Sequence, residues 1–555
     1  MTFRKRDALM NKIFRPKIID AMRGYTPKQL VSDIVAGLIV AIIALPLSIA
    51  LAIASGVSPE KGIYTAIVAG LVISLLGGSK VNISGPTAAF ATIVAGIVYQ
   101  HGVSGLVVAT IMAGILLILM GLLRFGALIK YIPCTITTGF TSGIAVTIIV
   151  GQIKDFLGLT FPEGTHAVET TEKLEAVARS ITTVNPWALL VGAIGLAILI
   201  VWPYISKKIP GSLIAVLVGA AAVKIFNIPV NTIGDLYQIS SSLPTFALPS
   251  VSWDMIVTLL PNAVTIAVLA AIESLLSCVV SDGMIKDRHN SNTELIAQGV
   301  GNICSGLFGG IPATGAIART AANVKNGGRS PIAGIVHAIV LLLILVVLMP
   351  LAAWIPMPII AAILFMVAYN MCEWREFVHL CKTAPVFDII VLVVTFVLTV
   401  VFDLVVAIAV GMVLAVVFFM KRMADNTTLR AWSADKGSED TLYKDIPAHV
   451  SVVEIDGPMF FASADKFASL SFSEETRVAI FRMHDVTALD ATAMKNLFTV
   501  LENCRENGIK LIACHVKEQP MLAMKRGGLV DAIGEENILP NFESALELAA
   551  KSLKE

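Results

Sequence analysis

Between residues 31 and 420 the chain repeats one pattern, a long run of Ala, Val, Ile, Leu and Gly followed by a short polar junction. The runs fall at 31–54, 60–78, 84–100, 104–122, 128–150, 186–204, 210–226, 257–280, 293–309, 314–326, 331–350, 357–371, 387–401 and 403–420. A helix crossing a bilayer needs about 20 apolar residues. These fourteen runs therefore predict a polytopic α-helical membrane protein, although several are too short to cross alone. Two cannot be continuous helices. Within Phe308 to Gly334, Gly309, Gly310 and Pro312 weaken or break helix, whereas Ala316 to Val324 has helical character. The pattern predicts an extended piece to about Gly315, then a short helix whose N-terminus opens at membrane depth. Backbone of that kind must be buried in protein or line a watery cavity. The third run of the first half, Val81 to Gly96, carries Gly85-Pro86 at the corresponding place, and Pro86 suits the first position of a helix. Seven runs precede the segment Asn227 to Asp254 and seven follow it, which predicts two inverted repeats. Their half-helices would point their N-termini at one small volume from opposite leaflets.

Beyond Arg422 the pattern changes. Residues 423–445 are polar and read as a linker; strand-like runs at Val450 to Ile455, Met459 to Ala462, Val478 to Met483 and Lys510 to His515 then alternate with helical ones at Ala491 to Asn507, Met521 to Gly527 and Phe542 to Leu553. This predicts a small α/β domain over 446–555, after a 1–30 N-terminal segment and a 31–422 membrane domain. The tail has no phosphate-binding loop and no nucleophile–base set, so it reads as regulatory or structural, with His484 and His515 as structural histidines at strand ends. The chain reads as a non-enzyme.

Composition agrees: 56% of the 555 residues are hydrophobic, 15% are charged, and mean hydropathy is +0.82. A net charge of +1 gives no reason to expect nucleic acid. Of the 81 charged residues, 34 lie between Val31 and Met420. With the N-terminus inside, Lys80, Arg124, Lys130, Lys207, Lys208, Lys286, Arg288, Lys325, Arg329, Arg375, Lys382, Lys421 and Arg422 all fall on the cytoplasmic side, while the long loop after span five is acidic. Both termini are expected inside, with the chain in the plasma (inner) membrane. Met1 to Lys28 is basic, without the apolar core of a cleavable signal. The seven cysteines lack CxxC spacing and read as free thiols. No metal or cofactor is expected.

The chemistry concentrates on the broken segments. Free N–H groups at a helix start attract anions, and Arg319 adds a full charge in the first turn of the second half-helix. Glu273 stands in the otherwise uncharged run Val264 to Val280 and must pair, bind a cation or take up a proton. Arg319 is one candidate partner, in which case the pair is structural. The functional reading makes Glu273 the proton-coupling residue, because a hard cation such as sodium needs several oxygen ligands and only Ser277 lies one turn away. The anion would be held by N–H groups of Thr87, Ala88, Ala89 and Phe90 and of Ala316, Ile317 and Ala318, by the hydroxyls of Thr87, Thr320 and Ser277, and by Arg319. Ser48, two residues after Pro46, would line the same pocket, and Phe90 and Ile317 would exclude water and favour a carbon-bearing anion. Nucleobase permeation and a non-transporting sensor remain as other classes; Arg319 and the tail argue against the first, and flux in liposomes would exclude the second.

At this point the chain resembles the SulP anion transporters, solute carrier family 26 in animals. The motifs are ALPLSIALAIASGVSPEKGIYTA (Ala44 to Ala66), SGPTAAF (Ser84 to Phe90), AIESLL (Ala271 to Leu276), NSNTELIAQGVGN (Asn290 to Asn302) and AIARTAAN (Ala316 to Asn323). VTALDATAM (Val486 to Met494) resembles the strand–turn–helix signature of a STAS domain. The resemblance implies a seven-plus-seven inverted repeat with core and gate domains, a homodimer, and elevator-type alternating access. It also implies a cytoplasmic regulator docking on the STAS domain, with Thr492 at a position where related domains are phosphorylated. Ala44 to Ile153 and Glu273 to Ala333 look most like the bacterial branch that takes up C4-dicarboxylates such as succinate and fumarate. Bicarbonate, sulfate, chloride and oxalate are also carried in the family. Its sodium-dependent bicarbonate branch has aspartate at the Glu273 position and no arginine at the Arg319 position, a pattern from which this chain departs.

Overall fold

The computed structural model describes residues 14–554 apart from 128–131, 163–166, 168, 207–208, 403, 434–445, 464–465, 467–469 and 471. The basic residues before Phe14, Lys130, Lys207, Lys208, the start of the 128–150 run and most of the expected linker therefore lie outside the described residues. The chain divides into two compact units, Met1–Met412 and Val413–Glu555.

All fourteen runs form helix. They are α1 Pro27–Ala54, α2 Pro59–Leu76, α3 Ala91–Leu122, α4 Cys134–Leu157, α5 Pro186–Ile205, α6 Gly211–Phe226, α7 Trp253–Ile285, α8 Ser291–Leu307, α9 Ile317–Lys325, α10 Ile332–Ala352, α11 Met357–Cys372, α12 Val386–Val401 and α13 Leu404–Asn426. Thirteen helices serve fourteen runs because α3 joins two of them across a bend at Gly102, whose φ of 67° and ψ of −174° are open to glycine. Nine helices among the described residues are long and apolar enough to cross a membrane by length and composition. α8, which is not among these nine, buries Glu294, Gln298, Asn302 and Ser305 on one face. Several short helices went unread in the sequence, among them Thr170–Ser180 in the acidic loop and Trp374–Thr383 between α11 and α12.

The broken segments become two short strands, β1 Ser84–Gly85 and β2 Thr314–Gly315, paired antiparallel with Ser84 opposite Gly315. A single tight turn, Ala88–Phe90, leads from β1 into α3, and β2 leads into α9. The two helices thus leave one crossing point in opposite directions.

In the second unit the sheet order is β3–β4–β5–β6–β7, with β3 Thr428–Ser433, β4 Val450–Asp456, β5 Val478–Asp485, β6 Lys510–Cys514 and β7 Ile538–Leu539. β3 is antiparallel to β4 and the other pairs are parallel. Alternation divides the strands: Val453, Ile455, Phe481 and Met483 pack under α14 Ala491–Glu506, while Val450, Val452, Ile480 and Ile512 pack with Phe542, Ala545 and Ala549 of α15 Phe542–Ser552. Burial on both faces explains why these strands read as continuous apolar runs. Two expectations are corrected. The linker 423–445 begins as the end of α13 and then β3, a strand masked by its polar neighbours. Met459 to Ala462 is not a strand: Gly457 turns at φ 104°, Met459 makes one isolated bridge to Leu489, and Phe461–Ser463 curls into a tight turn.

A candidate anion site at the crossing of two broken helices

Gly85 and Gly315 let the segments cross. A Cβ at Gly315 would stand 2.7 Å from the Asn82 amide and 3.1 Å from the Ser274 backbone; one at Gly85 would stand 2.5 Å from Nη1 of Arg319. α7 braces the crossing, since Ser274 Oγ accepts from the Gly315 N–H at 3.0 Å and lies 2.7 Å from Thr314 Oγ1.

Arg319 spans the crossing. Its Nη2 donates to the Pro86 carbonyl at 2.6 Å, and its Nη1 is buried without a protein partner. A buried guanidinium with an idle N–H is a charge waiting for a counter-ion. Glu273 is not that partner: its Oε2 accepts from Thr87 Oγ1 at 2.9 Å, and no ion pair joins it to Arg319 among the described residues. The pairing weighed from sequence is corrected. The reason is local: Pro86 offers a carbonyl but no N–H and captures one arm of the guanidinium, while the Thr87 hydroxyl reaches the carboxylate.

The expected ligands divide into two groups. Ala88 and Ala89 stand in the first turn toward α3, and Ile317 and Ala318 in the first turn of α9, where N–H groups have no acceptor within the helix. Ser48 is fully buried with an unpartnered Oγ. These fit an anion site. The second group is engaged elsewhere. The Ala316 N–H bonds the Ile83 carbonyl at 2.9 Å, and the Phe90 N–H bonds Thr87 O at 3.3 Å. Ser277 and Thr320 bring their hydroxyls to Asn82 Oδ1 at 2.7 and 3.0 Å, and Thr320 Oγ1 also accepts from the Ile83 N–H. Those hydroxyls close the crossing rather than face an anion. Phe90 is buried, whereas Ile317 is 41% exposed beside the site.

A carboxylate that the sequence did not single out holds the assembly. Glu294 on α8 is fully buried and accepts from the N–H groups of Gly78 and Ser79, from Asn82 Nδ2 and from Gln298 Nε2, at 2.8 to 3.2 Å. Gln298 also reaches Ser84 Oγ, and Asn302 bonds both the carbonyl and the N–H of Ala313. Glu294, Gln298 and Asn302 recur every four residues, a polar stripe legible in the sequence once a partner for it is sought.

In the tail, Asp490 caps α14 by accepting from the Ala493 N–H at 2.8 Å, which leaves Thr492 exposed in the first turn. His484 and His515 stack edge to face with centroids 5.5 Å apart. Burial, and then the Arg482 charge, hold His515 below the ordinary histidine range. All seven cysteines are free.

Two helix starts meeting at a buried arginine with an unpartnered N–H fit an anion site. The chain belongs to the sulfate permease family, whose model matches residues 30–395, and a STAS domain model matches 443–545. It is 39% identical to a putative sulfate transporter, YvdB, of Bacillus subtilis over 94% of this chain and 98% of that one. It is 29% identical to the bicarbonate transporter BicA of Synechocystis, covering 95% of each chain. Among solved structures, the transmembrane domain of a cyanobacterial BicA aligns over 71% of this chain and 98% of that one, with TM-score 0.63 and 30% identity. The murine solute carrier 26 member A9 aligns over 98% and 95%, with TM-score 0.87 and 18% identity, a likeness of fold. The protein is thus a membrane anion transporter with a C-terminal STAS domain.

Proposed function

We propose that the chain is a proton-coupled carrier of a small anion, a C4-dicarboxylate in the reading taken from the sequence, bound between the starts of α3 and α9 with its charge on Nη1 of Arg319. The carrying observation is that buried, unpartnered guanidinium N–H. Ala88, Ala89, Ile317 and Ala318 supply backbone N–H donors, and Ser48 supplies a hydroxyl. Glu273 is the proton carrier: among the described residues its carboxylate meets one oxygen, the Thr87 hydroxyl, where sodium needs several. Protonated with the anion bound and deprotonated after release, it would tie accumulation to the proton gradient.

C4-dicarboxylate is the substrate reading taken from the sequence; sulfate and bicarbonate, which the relatives' names carry, fit as well or better. Elevator-type exchange of facing, a homodimer in the plasma membrane with both termini cytoplasmic, and a STAS domain that docks a cytoplasmic regulator and offers Thr492 for phosphorylation complete the reading. Phosphate on Thr492 would sit at the N-terminus of α14, where the helix dipole favours negative charge. The test is uptake by proteoliposomes of labelled sulfate, succinate and bicarbonate, with proton or sodium gradients imposed separately. Accumulation of a divalent anion driven by an acid exterior is expected. Sodium-driven accumulation indifferent to pH refutes the coupling, and preference for bicarbonate or sulfate over succinate refutes the dicarboxylate reading.

A further inference from the structure

Threonine is favoured just before a helix, where its hydroxyl caps an exposed N–H. Thr87 precedes the turn Ala88–Phe90 with the extended backbone of such a residue, φ −125° and ψ 159°, yet its side chain caps nothing. The hydroxyl is drawn across to α7 instead, where it donates to Glu273 Oε2 at 2.9 Å. The chain neighbours of Thr87 belong to the anion site. The Pro86 carbonyl holds Nη2 of Arg319 at 2.6 Å, and Ala88 and Ala89 carry N–H groups of the helix start. Thr87 and Glu273 are half-buried, whereas Pro86, Ala88, Ile272 and Ser274 beside them are buried. Thr87 therefore stands between the clasp on Arg319 and the N–H groups of the helix start, and it touches the proton carrier.

Other charges near Glu273 are distant or engaged. α7 packs on α3, α8 and α9. From α3 the titratable groups are Tyr99 and His101, about three turns or more beyond Thr87. From α8 they are Cys304 and Glu294, the latter held by Gly78, Ser79, Asn82 and Gln298. From α9 they are Arg319 and Lys325, its last residue. α7 itself adds Asp254 in its first turn, Cys278, and Asp282 paired with His289.

A threonine hydroxyl has one proton to give and two lone pairs. Beside an ionised Glu273 it must donate, because a carboxylate only accepts. Beside a protonated Glu273 the roles reverse: the carboxylic O–H donates to Oγ1, and the Thr87 O–H is released to turn about the Cβ–Oγ1 bond. We propose that Thr87 is the residue that couples proton to anion, its single O–H serving the Glu273 carboxylate when the site is empty and the anion once Glu273 is protonated. The proton comes from water on the acid side, forms the Glu273 O–H and returns to water when the carboxylate reforms; no other covalent bond changes. Anion binding and protonation then favour each other by the same factor. Thr87 acts on the proton through Glu273 and is a positioning residue for it. The inference deepens the proton-coupled reading above and rests on it.

The test uses the full chain in detergent, with sulfate and succinate as probes. Affinity is measured from acid to alkaline pH, and protons taken up on binding are read by calorimetry in buffers of different ionisation heat. Wild type should tighten on acidification and take up protons as the anion binds. Thr87→Val keeps the shape without the hydroxyl. It should lose roughly ten-fold of the acid-side affinity, about one hydrogen bond to a charged partner, and far less on the alkaline side. Thr87→Ser restores the hydroxyl and should restore the acid-side gain. A folded Thr87→Val with the wild-type pH dependence overturns the inference. So does an equal loss of affinity at every pH, which would make Thr87 a plain ligand. Should Thr87→Val misfold, Thr87→Cys, a weak donor, is compared with Thr87→Ser. A smaller acid-side gain in the cysteine variant supports the inference, and equality of the two overturns it. Wild type that binds an anion without taking up a proton would instead overturn the proton-coupled reading, and wild type that binds neither probe the anion site, this inference falling with either.

Discussion

At the scale of single residues, Arg319 and Glu273 were legible because charge is rare in apolar runs, whereas their partners were not. The sequence placed both near the crossing but left their mutual pairing open; Pro86 and Thr87, adjacent in the chain, take one each. Arg319→Ala should weaken anion binding about ten- to a hundred-fold, the worth of a charge-assisted hydrogen bond at roughly 1.5–3 kcal/mol. Folding should be retained, since the arginine donates one hydrogen bond, to the Pro86 carbonyl, and its Nη1 has no partner among the described residues. Equilibrium binding on monodisperse protein is the measurement, and near-normal affinity would remove Arg319 from the site. Glu273→Gln keeps the size of the side chain and an oxygen for Thr87 but cannot ionise. It should abolish acid-driven accumulation while binding survives. Uptake that kept the wild-type pH profile would leave Glu273 a structural residue.

At the scale of elements, helix positions followed from apolar runs, and the broken segments from Gly-Pro and Gly-Gly punctuation. What composition hides is which hydroxyls and amides meet. Ser277 and Thr320 read as ligands because they are polar residues near Glu273 and Arg319; only the approach of Asn82 shows them consumed. Glu294 escaped notice because it sits in a polar stretch that could have been a junction. It instead satisfies two backbone N–H groups and two side-chain amides where the chain between α2 and β1 passes α8. Glu294→Ala strips all of them of their acceptor at a penalty of about 1–3 kcal/mol each. The expected result is a large fall in the thermal midpoint in detergent or loss of folded protein. Glu294→Gln, which keeps one oxygen but turns an NH2 toward other donors, should fall between. A midpoint for Glu294→Ala equal to wild type would show that the cluster does not hold the crossing together.

At the scale of the whole molecule, the change in pattern after Arg422 announced a second domain, and the alternation of strand and helix announced its class. The boundary was harder, because β3 is short and carries Arg430 and Ser433 between apolar residues. That error matters for any test of independence. A cut before Lys436 would leave Thr428–Ser433 without β4, its antiparallel partner, and expose Leu429 and Trp432, which pack against the two cores of the sheet. Such an orphaned edge strand invites association. Removing Thr427–Glu555 avoids it, because Thr427 follows the last residue of α13. A chain ending at Asn426 keeps the first compact unit, Met1–Met412, and the whole of α13; it should fold as a membrane protein, elute as one species and still bind the anion through Arg319, with transport reduced or deregulated. The chain ending at Asp435 should be more prone to aggregate although it is longer. Size-exclusion profiles and proteoliposome uptake of the two truncations, beside the full chain, decide the matter. Loss of folded protein on ending at Asn426 would make the C-terminal unit an obligate part of the carrier, and equal behaviour of the two truncations would show that β3 does not require its sheet.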